Sequence, residues 1–320
     1  MTTRLVIDTD TAGDDVFSLL LGLLHPEATL EAITICCGNV PFDQEVENAL
    51  YTIEIAGRGG DVPVFAGCRR PLIAEWVGAQ YVHGDDGMGE AHFPRAQQRP
   101  EKEHAVDALV RLIDDNPGEL TLIAQAPLTN IATAVVRDPT IAGKVKHLYV
   151  MGGGSGNVTP AAEYNFYVDP EAAKIVFRAG FSLTLVTWTL TLAHGIFTTE
   201  QLAAIDELGT PLATFFSQVN RKALEFCLAR GLAGSSHPDA LTCALALDPT
   251  LVTQSTRCFV DVETAGDLTR GYSSIDRLGF FRSEPNADVV EAVDSDAFYR
   301  MLLGVLGQDV RPPLPADSSR

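Results

Sequence analysis

The sequence predicts an α/β fold, a mainly parallel, doubly wound open sheet with helices on both faces, built as a single domain with helical insertions. Three observations lead there. Short apolar, strand-like runs alternate with helical periods through the first half of the chain. No repeat and no low-complexity linker separates one half from the other. Polar clusters follow the strand-like runs, at the rim where open α/β sheets bind their ligands.

In chain order, the strand-like runs are Arg4–Ile7, Leu30–Cys36, Leu120–Ala124, His147–Met151 and Ser182–Val186. Helical patterns fill the gaps at Asp15–Leu24, Asp43–Ala56, Glu103–Asp114, Leu128–Arg137 and Pro170–Ala179. The second half reads differently. Thr199–Leu208, Pro211–Arg230 and Pro238–Leu247 are helical, and Arg257–Glu263 with Arg270–Ser274 reads as a late antiparallel pair. Residues 308–320, rich in Pro, Asp and Ser, read as a loosely held tail after a domain spanning 1–307.

Composition bounds the function. A chain of 320 residues with 46% hydrophobic and 20% charged content has ample core. A formal charge of −19 argues against nucleic-acid or anionic-membrane partners, because phosphate surfaces are bound by basic patches. No apolar run reaches membrane-spanning length. The start runs directly into a strand, so no signal peptide is expected. The six cysteines form no C-x-x-C pair and sit mostly in apolar stretches, which reads as free thiols in a reducing cytoplasm.

The densest chemistry lies at the first strand end. Asp8, Asp10, Asp14 and Asp15 fall on one strand–turn–helix segment. Two carboxylates about 4 Å apart repel by about 4 kcal/mol at an effective dielectric near 20, so such a cluster expects a cation. Oxygen-only ligands expect a hard one, Ca²⁺ or Mg²⁺. A single Asp would serve as a helix cap, but four exceed that need. Other strand ends carry Gly38-Asn39, Gln125 through Asn130, and Gly152 through Asn157 followed by Glu163 and Asn165. Amides and carboxylates converging on one rim suit a polyhydroxylated ligand, since each hydroxyl both donates and accepts. The glycine run at Gly152 does not complete a dinucleotide-binding G-x-G-x-x-G motif and no helix follows it directly. No G-x-S-x-G nucleophile elbow is present.

These residues resemble a known family. Asp8-Thr9-Asp10 followed by Asp14-Asp15, Cys37-Gly38-Asn39-Val40, and His83-Gly84-Asp85-Asp86-Gly87 resemble motifs of the inosine–uridine preferring nucleoside hydrolases. So do Pro127-Leu128-Thr129-Asn130, Met151-Gly152-Gly153, Glu163-Tyr164-Asn165 and Asp169-Pro170, with Asp239 and Asp248-Pro249 further on. The similarity runs in order over most of residues 4–275. It implies Ca²⁺-dependent hydrolysis of the N-glycosidic bond of ribonucleosides to ribose and free base. It places the ion on Asp10, Asp15, Asp239 and the Gln125 carbonyl, with Asp10 as base for a metal-bound water. Asp14, Asn157 and Asn165 would grip the ribose 2′- and 3′-hydroxyls, and Glu163 with Asn157 would reach the 5′ side. Asn39 would lie near the ring oxygen and the attacking water, and Met151 would floor the ribose pocket. A dimer or tetramer is implied as well.

The chain departs from the family at one position. Where many members carry a His-Asp pair whose His protonates the leaving base, this sequence reads His237-Pro238-Asp239. Proline suits the first turn of a helix but transfers no proton. Three candidates for handling the base remain: His83, the shifted His237, and stacking aromatics among Trp76, Tyr81, Trp188 and Phe226. A one-residue shift on a helix turns a side chain by about 100°. Base preference therefore stays open. So do a nucleoside-binding or modified-nucleoside-specific relative, which the missing histidine permits, and a Mg²⁺-dependent phosphotransferase, which the scarcity of basic residues near the acids disfavours.

Overall fold

The computed structural model describes residues 2–310. Eleven strands are found among them: β1 (Thr3–Thr9), β2 (Ala28–Ile35), β3 (Val64–Ala66), β4 (Thr121–Ala124), β5 (His147–Met151), β6 (Leu183–Val186), β7 (Ile196–Thr198), β8 (Gly234–Ser236), β9 (Val252–Val262), β10 (Ser273–Asp276) and β11 (Ala287–Val293). Nine of them form one sheet in the order β10-β9-β11-β6-β5-β4-β1-β2-β3. From β3 to β11 every pairing is parallel, and β9 and β10 add an antiparallel edge. β7 and β8 make a separate antiparallel pair. The central strands are apolar because both faces are covered: β4 is buried at all four positions and β1 at its last five.

The chain winds from β1 outward to β3, returns to β4 beside β1, then winds the other way. Adjacent strands at that reversal open a crevice at their carboxyl ends. The loops after β1 and β4 flank it, and they carry Asp10 and Gln125.

Two core helices set the rest of the site. Gly13–Leu24, which follows β1, is buried at every position except Asp14 and Leu24. Pro238–Leu247 is buried at all ten positions and packs against it. Helices apolar on every face belong in the middle of a layer. Each brings acid in its first turn, Asp14 and Asp15 on one and Asp239 on the other. Helix N-termini favour negative charge. Thus the packing that buries the two helices also joins the acids.

The five first-half strands and five helices stand where the sequence predicts them, within a residue or two at their ends. Five elements, besides several short helices, went unread. β3 spans three residues, too few for a pattern, and β7 and β8 are equally short. β11 and the helix Ser295–Leu306 follow a loop and return the chain to the central sheet beside β6. The late pair is longer than expected on one side, since β9 begins at Val252, and β10 begins only at Ser273. Gly271 explains the second shift: its φ of +80° places Arg270–Tyr272 in the turn rather than the strand. The expected tail at 308–320 lies outside the described residues from 311 onward. No described helix is long and apolar enough to cross a membrane.

Asp169 ties three segments behind the sheet rim. One carboxylate oxygen caps the helix Pro170–Arg178 at Ala172 N, and the other accepts from Thr129 Oγ1 (2.6 Å) and Leu72 N (2.8 Å). Replacing it removes a cap and leaves buried donors unpaired. Asp169→Ala is expected to lower unfolding stability by about 2–4 kcal/mol, read as a fall in the urea midpoint at constant slope.

Candidate active site

A cavity of about 320 Å³ opens at the carboxyl ends of the central strands. That volume suits a small ligand. Of the sequence-predicted residues, Asp14, Asn39, His83, Gln125, Met151 and Asn157 line it, as do Glu163, Asn165, Trp188, Phe226 and Asp239. Asp10 and Asp15 lie directly behind them, both almost wholly buried.

The acids form a connected group. Oxygens of Asp14, Asp15 and Asp239 all lie within 4.8 Å of one another. The resemblance implied Asp10 in this trio; in the structure Asp14 completes the compact set and Asp10 sits beside it. Asp15 accepts from Thr9 Oγ1 (2.6 Å), Ala12 N (3.1 Å), Gln125 Nε2 (3.1 Å) and Asn39 Nδ2 (3.2 Å). Asp10 Oδ2 accepts from Asn39 N (3.0 Å), while its Oδ1 has no partner among the described residues. Gly38 permits this approach, because a Cβ there would stand 1.8 Å from Asp10 Oδ2.

Burial and mutual repulsion hold these carboxyls far from their ordinary range. Asp14 is pushed up to about 7 by burial and by the Asp15 charge. Burial followed by the Asp15 charge raises Asp10 well above the usual value, and burial followed by the Asp14 charge does the same for Asp239. The Asp14 and Asp239 carboxyls stand close together in that group, with room for a proton or a cation between them. A proton in that position is one way to relieve the repulsion; a cation is the other. The oxygen-only donor set, the unpartnered Asp10 Oδ1 and the Gln125 carbonyl at the same rim fit a hard metal ion. The Gln125 carbonyl also accepts from Asn165 Nδ2 at 3.1 Å.

The sugar-side residues are placed by helix starts and by the glycine loop. Glu163 caps the short helix Tyr164–Val168, accepting from Asn165 N (2.9 Å) and Phe166 N (3.2 Å), and also accepts from Gly153 N (2.9 Å). Its carboxylate therefore shapes the loop as well as lining the cavity, and burial pushes it up to about 7. Asn165 Nδ2 is anchored on the Met151 carbonyl and Sδ, each at 3.3 Å. Asn157 is exposed on the glycine loop, which its backbone closes onto Ala162 O.

Two sequence-predicted residues are not brought to the cavity. His237 is wholly buried among Phe17, Phe197 and Phe216, with ring centroids 4.5–5.5 Å away. Its Nε2 pairs with Ser235 Oγ at 2.8 Å, and burial lowers it to about 3. As the residue before Pro238 it precedes the helix and points into the core, so it delivers no proton to a ligand. Trp76 lies on a neighbouring cavity, where its indole N–H donates to the Gly38 carbonyl at 2.7 Å. Its ring is a brace for the Gly38–Asn39 turn rather than a stacking surface. His83 does line the cavity, packed onto Gly13, where a Cβ would stand 2.2 Å from its Nδ1. Burial lowers His83 to about 4, so it is neutral near pH 7.

Sequence reading missed Tyr164, whose hydroxyl donates to Val77 O, along with Val82, Leu192, Leu232 and Arg230. Tyr164 stood inside a quoted motif between Glu163 and Asn165. Arg230 follows Phe226 by one helical turn, the only signal that placed it on the same face.

Comparison with known proteins agrees with this geometry. The model of the inosine-uridine preferring nucleoside hydrolase family matches residues 5–300. The chain is 32% identical over 312 residues to the pyrimidine-specific ribonucleoside hydrolase RihA of an Enterobacter species, covering 96% of this chain and 99% of that one. It is 33% identical over 306 residues to the protein of the same name from Salmonella arizonae, covering 94% and 97%. A plant nucleoside hydrolase superposes with a TM-score of 0.90 at 30% identity, over 96% of this chain and 99% of the other. A purine-preferring ribonucleoside hydrolase from Gardnerella vaginalis gives 0.87 at 27% identity, over 95% and 98%. With the acid cluster, the amide rim and the parallel sheet all in place, the chain belongs to the inosine-uridine preferring nucleoside hydrolase family and is an N-glycosyl hydrolase.

Proposed function

We propose that this hydrolase, with a catalytic domain spanning residues 1–307, cleaves ribonucleosides to ribose and free base in a Ca²⁺-dependent reaction, with Asp10 as general base. The observation that carries the reading is the meeting of Asp14, Asp15 and Asp239 beneath a cavity rimmed by Asn39, Gln125 and Asn165. When bound among those oxygens, the cation would keep the carboxylates ionised and acidify water at the site. Asp10, Asp15, Asp239 and the Gln125 carbonyl would hold it.

The chain's own groups account for the remaining steps. Asp14, Asn157 and Asn165 grip the ribose hydroxyls, and Glu163 faces the 5′ side. Asp10 Oδ1, which has no protein donor, takes the proton of the attacking water. The carboxylate-rich floor stabilises the positive charge that develops on the sugar in an oxocarbenium-like transition state. Names among the relatives divide between pyrimidine-specific and purine-preferring, so they leave the base class open. A second reading, a nucleoside-binding or modified-nucleoside-specific relative, is favoured by Pro238 and by the burial of His237. The free cysteines support a cytoplasmic protein, and the likeness to its relatives supports a dimer or tetramer.

Product analysis tests the reaction. Uridine or inosine should yield free base and ribose with no requirement for phosphate, and ribose 1-phosphate as product would refute hydrolysis. Asp10→Ala or exhaustive chelation should abolish turnover. The 2′-deoxynucleosides should be poor substrates, because a missing hydroxyl leaves buried polar groups unpaired.

Stability against pH tests the ion. Asp14 and Asp8 are both raised to about 7, chiefly by burial. A carboxyl raised in the folded state contributes stability below its ordinary pKa and loses it as pH rises through the folded value. In chelator, thermal stability should therefore fall between about pH 4 and 7. Added Ca²⁺ should reverse the loss, most strongly at the upper end, because its ligands must be deprotonated. A melting temperature indifferent to Ca²⁺ at neutral pH would sink the assignment.

A further inference from the structure

The cavity is electrically polarised along its depth. Its floor holds the half-buried Asp14 and the buried acids Asp239 and Glu163. Arg230, exposed at its mouth, is the one permanent cation among the described lining residues. None of the ion pairs among the described residues includes Arg230, and no other lining residue carries a charge of its sign. Its guanidinium instead lies 3.5 Å from the centroid of the Phe226 ring, and Phe226 packs against Tyr81 at 5.6 Å. A cation held over an aromatic face is fixed without being neutralised. Its charge reaches Tyr81, where it opposes the effect of burial on the phenol.

Heterolysis of an N-glycosidic bond separates charge in the same sense. The sugar becomes positive and the departing base gains an electron pair. An enzyme meets that pair with a proton or with a positive potential. No histidine supplies the proton here: Pro238 stands in place of one, His237 is sealed among phenylalanines, and His83 is neutral near pH 7.

We propose that Arg230, held on Phe226 at the cavity mouth, is a catalytic residue that stabilises the leaving base as an anion, in place of a general acid. The inference rests on the hydrolase reading above. The C1′–N bond breaks with its electron pair passing to the base nitrogen. The water oxygen bonds C1′ and gives one proton to Asp10. The base leaves as an N-anion opposite the guanidinium and takes its proton from solvent after release, while Asp10 returns its own to solvent. Ribonucleosides whose base carbonyls delocalise that negative charge, of the uracil and xanthine type, are then the favoured class. Amino bases such as adenine and cytosine, which leave more readily when protonated, are disfavoured.

The test compares Arg230→Ala and Arg230→Lys with the unaltered chain on uridine and on p-nitrophenyl riboside, whose leaving group is already a stable anion. The ratio of kcat/KM for uridine to that for the nitrophenyl substrate should fall at least about tenfold in Arg230→Ala, as for loss of a charge-stabilising donor. Arg230→Lys, which keeps the charge, should restore most of it. An unchanged ratio in the alanine variant overturns the proposal, whether both rates drop or neither does. A second readout needs no turnover. Xanthine should bind the unaltered chain more tightly above its own pKa than below it, and Arg230→Ala should abolish that difference. If the unaltered chain cleaves neither riboside, the hydrolase reading fails on its own count. The xanthine titration then still decides whether Arg230 recognises a base anion.

Discussion

The repulsion among buried carboxylates is the constraint on which this structure turns. Asp10, Asp14, Asp15 and Asp239 are held in a volume where no two of them can ionise cheaply without a counter-charge. The fold tolerates this because it spends its most buried elements there. The helices Gly13–Leu24 and Pro238–Leu247 are locked by apolar contacts along nearly their whole lengths, so their first turns cannot spread apart. Thr9, Asn39 and Gln125 add hydrogen bonds that fix Asp15. Rigid packing thus sustains an arrangement that electrostatics alone would open.

The other residues of the site follow from that arrangement. Gly38 must lack a side chain because Asp10 occupies its space, and Trp76 braces the same turn from outside. Glu45 completes the support by accepting from Gly38 N and Val40 N. Asn39 is therefore placed by three neighbours before any ligand arrives, a form of preorganisation. The glycine loop is fixed in the same way through Glu163 and Ser273, which accept from Gly153 N and Gly154 N.

Much of this was legible in the residues and some was not. The parallel strands could be read because burial on both faces leaves continuous apolar runs, and the acid cluster could be read because its residues are neighbours in sequence. Asp239 was legible only through resemblance, since nothing local ties an isolated Asp to a site built from the chain's first residues. That Asp14 groups tightly with Asp15 and Asp239 was not legible, because it depends on side-chain direction within a single turn. His237 and Trp76 each carry suitable chemistry, and only packing reveals that one faces the core and the other faces away. Arg230 was hidden because a lone arginine at a helix end has an ordinary surface role, and only its place over the Phe226 ring at the cavity mouth sets it apart.

The position of β11 has a consequence for how the chain reaches this state. β6 pairs with β11 in parallel, and β9 and β10 join the sheet only through β11. Until Ala287–Val293 has emerged and docked, β6 is an unsatisfied edge with open amides and carbonyls. During synthesis that edge is exposed while the intervening hundred or so residues are made, and non-local parallel pairing closes slowly. The interval between making β6 and making β11 is therefore when a nascent chain is most open to pairing with its neighbours, and when a chaperone holding that edge would protect it best.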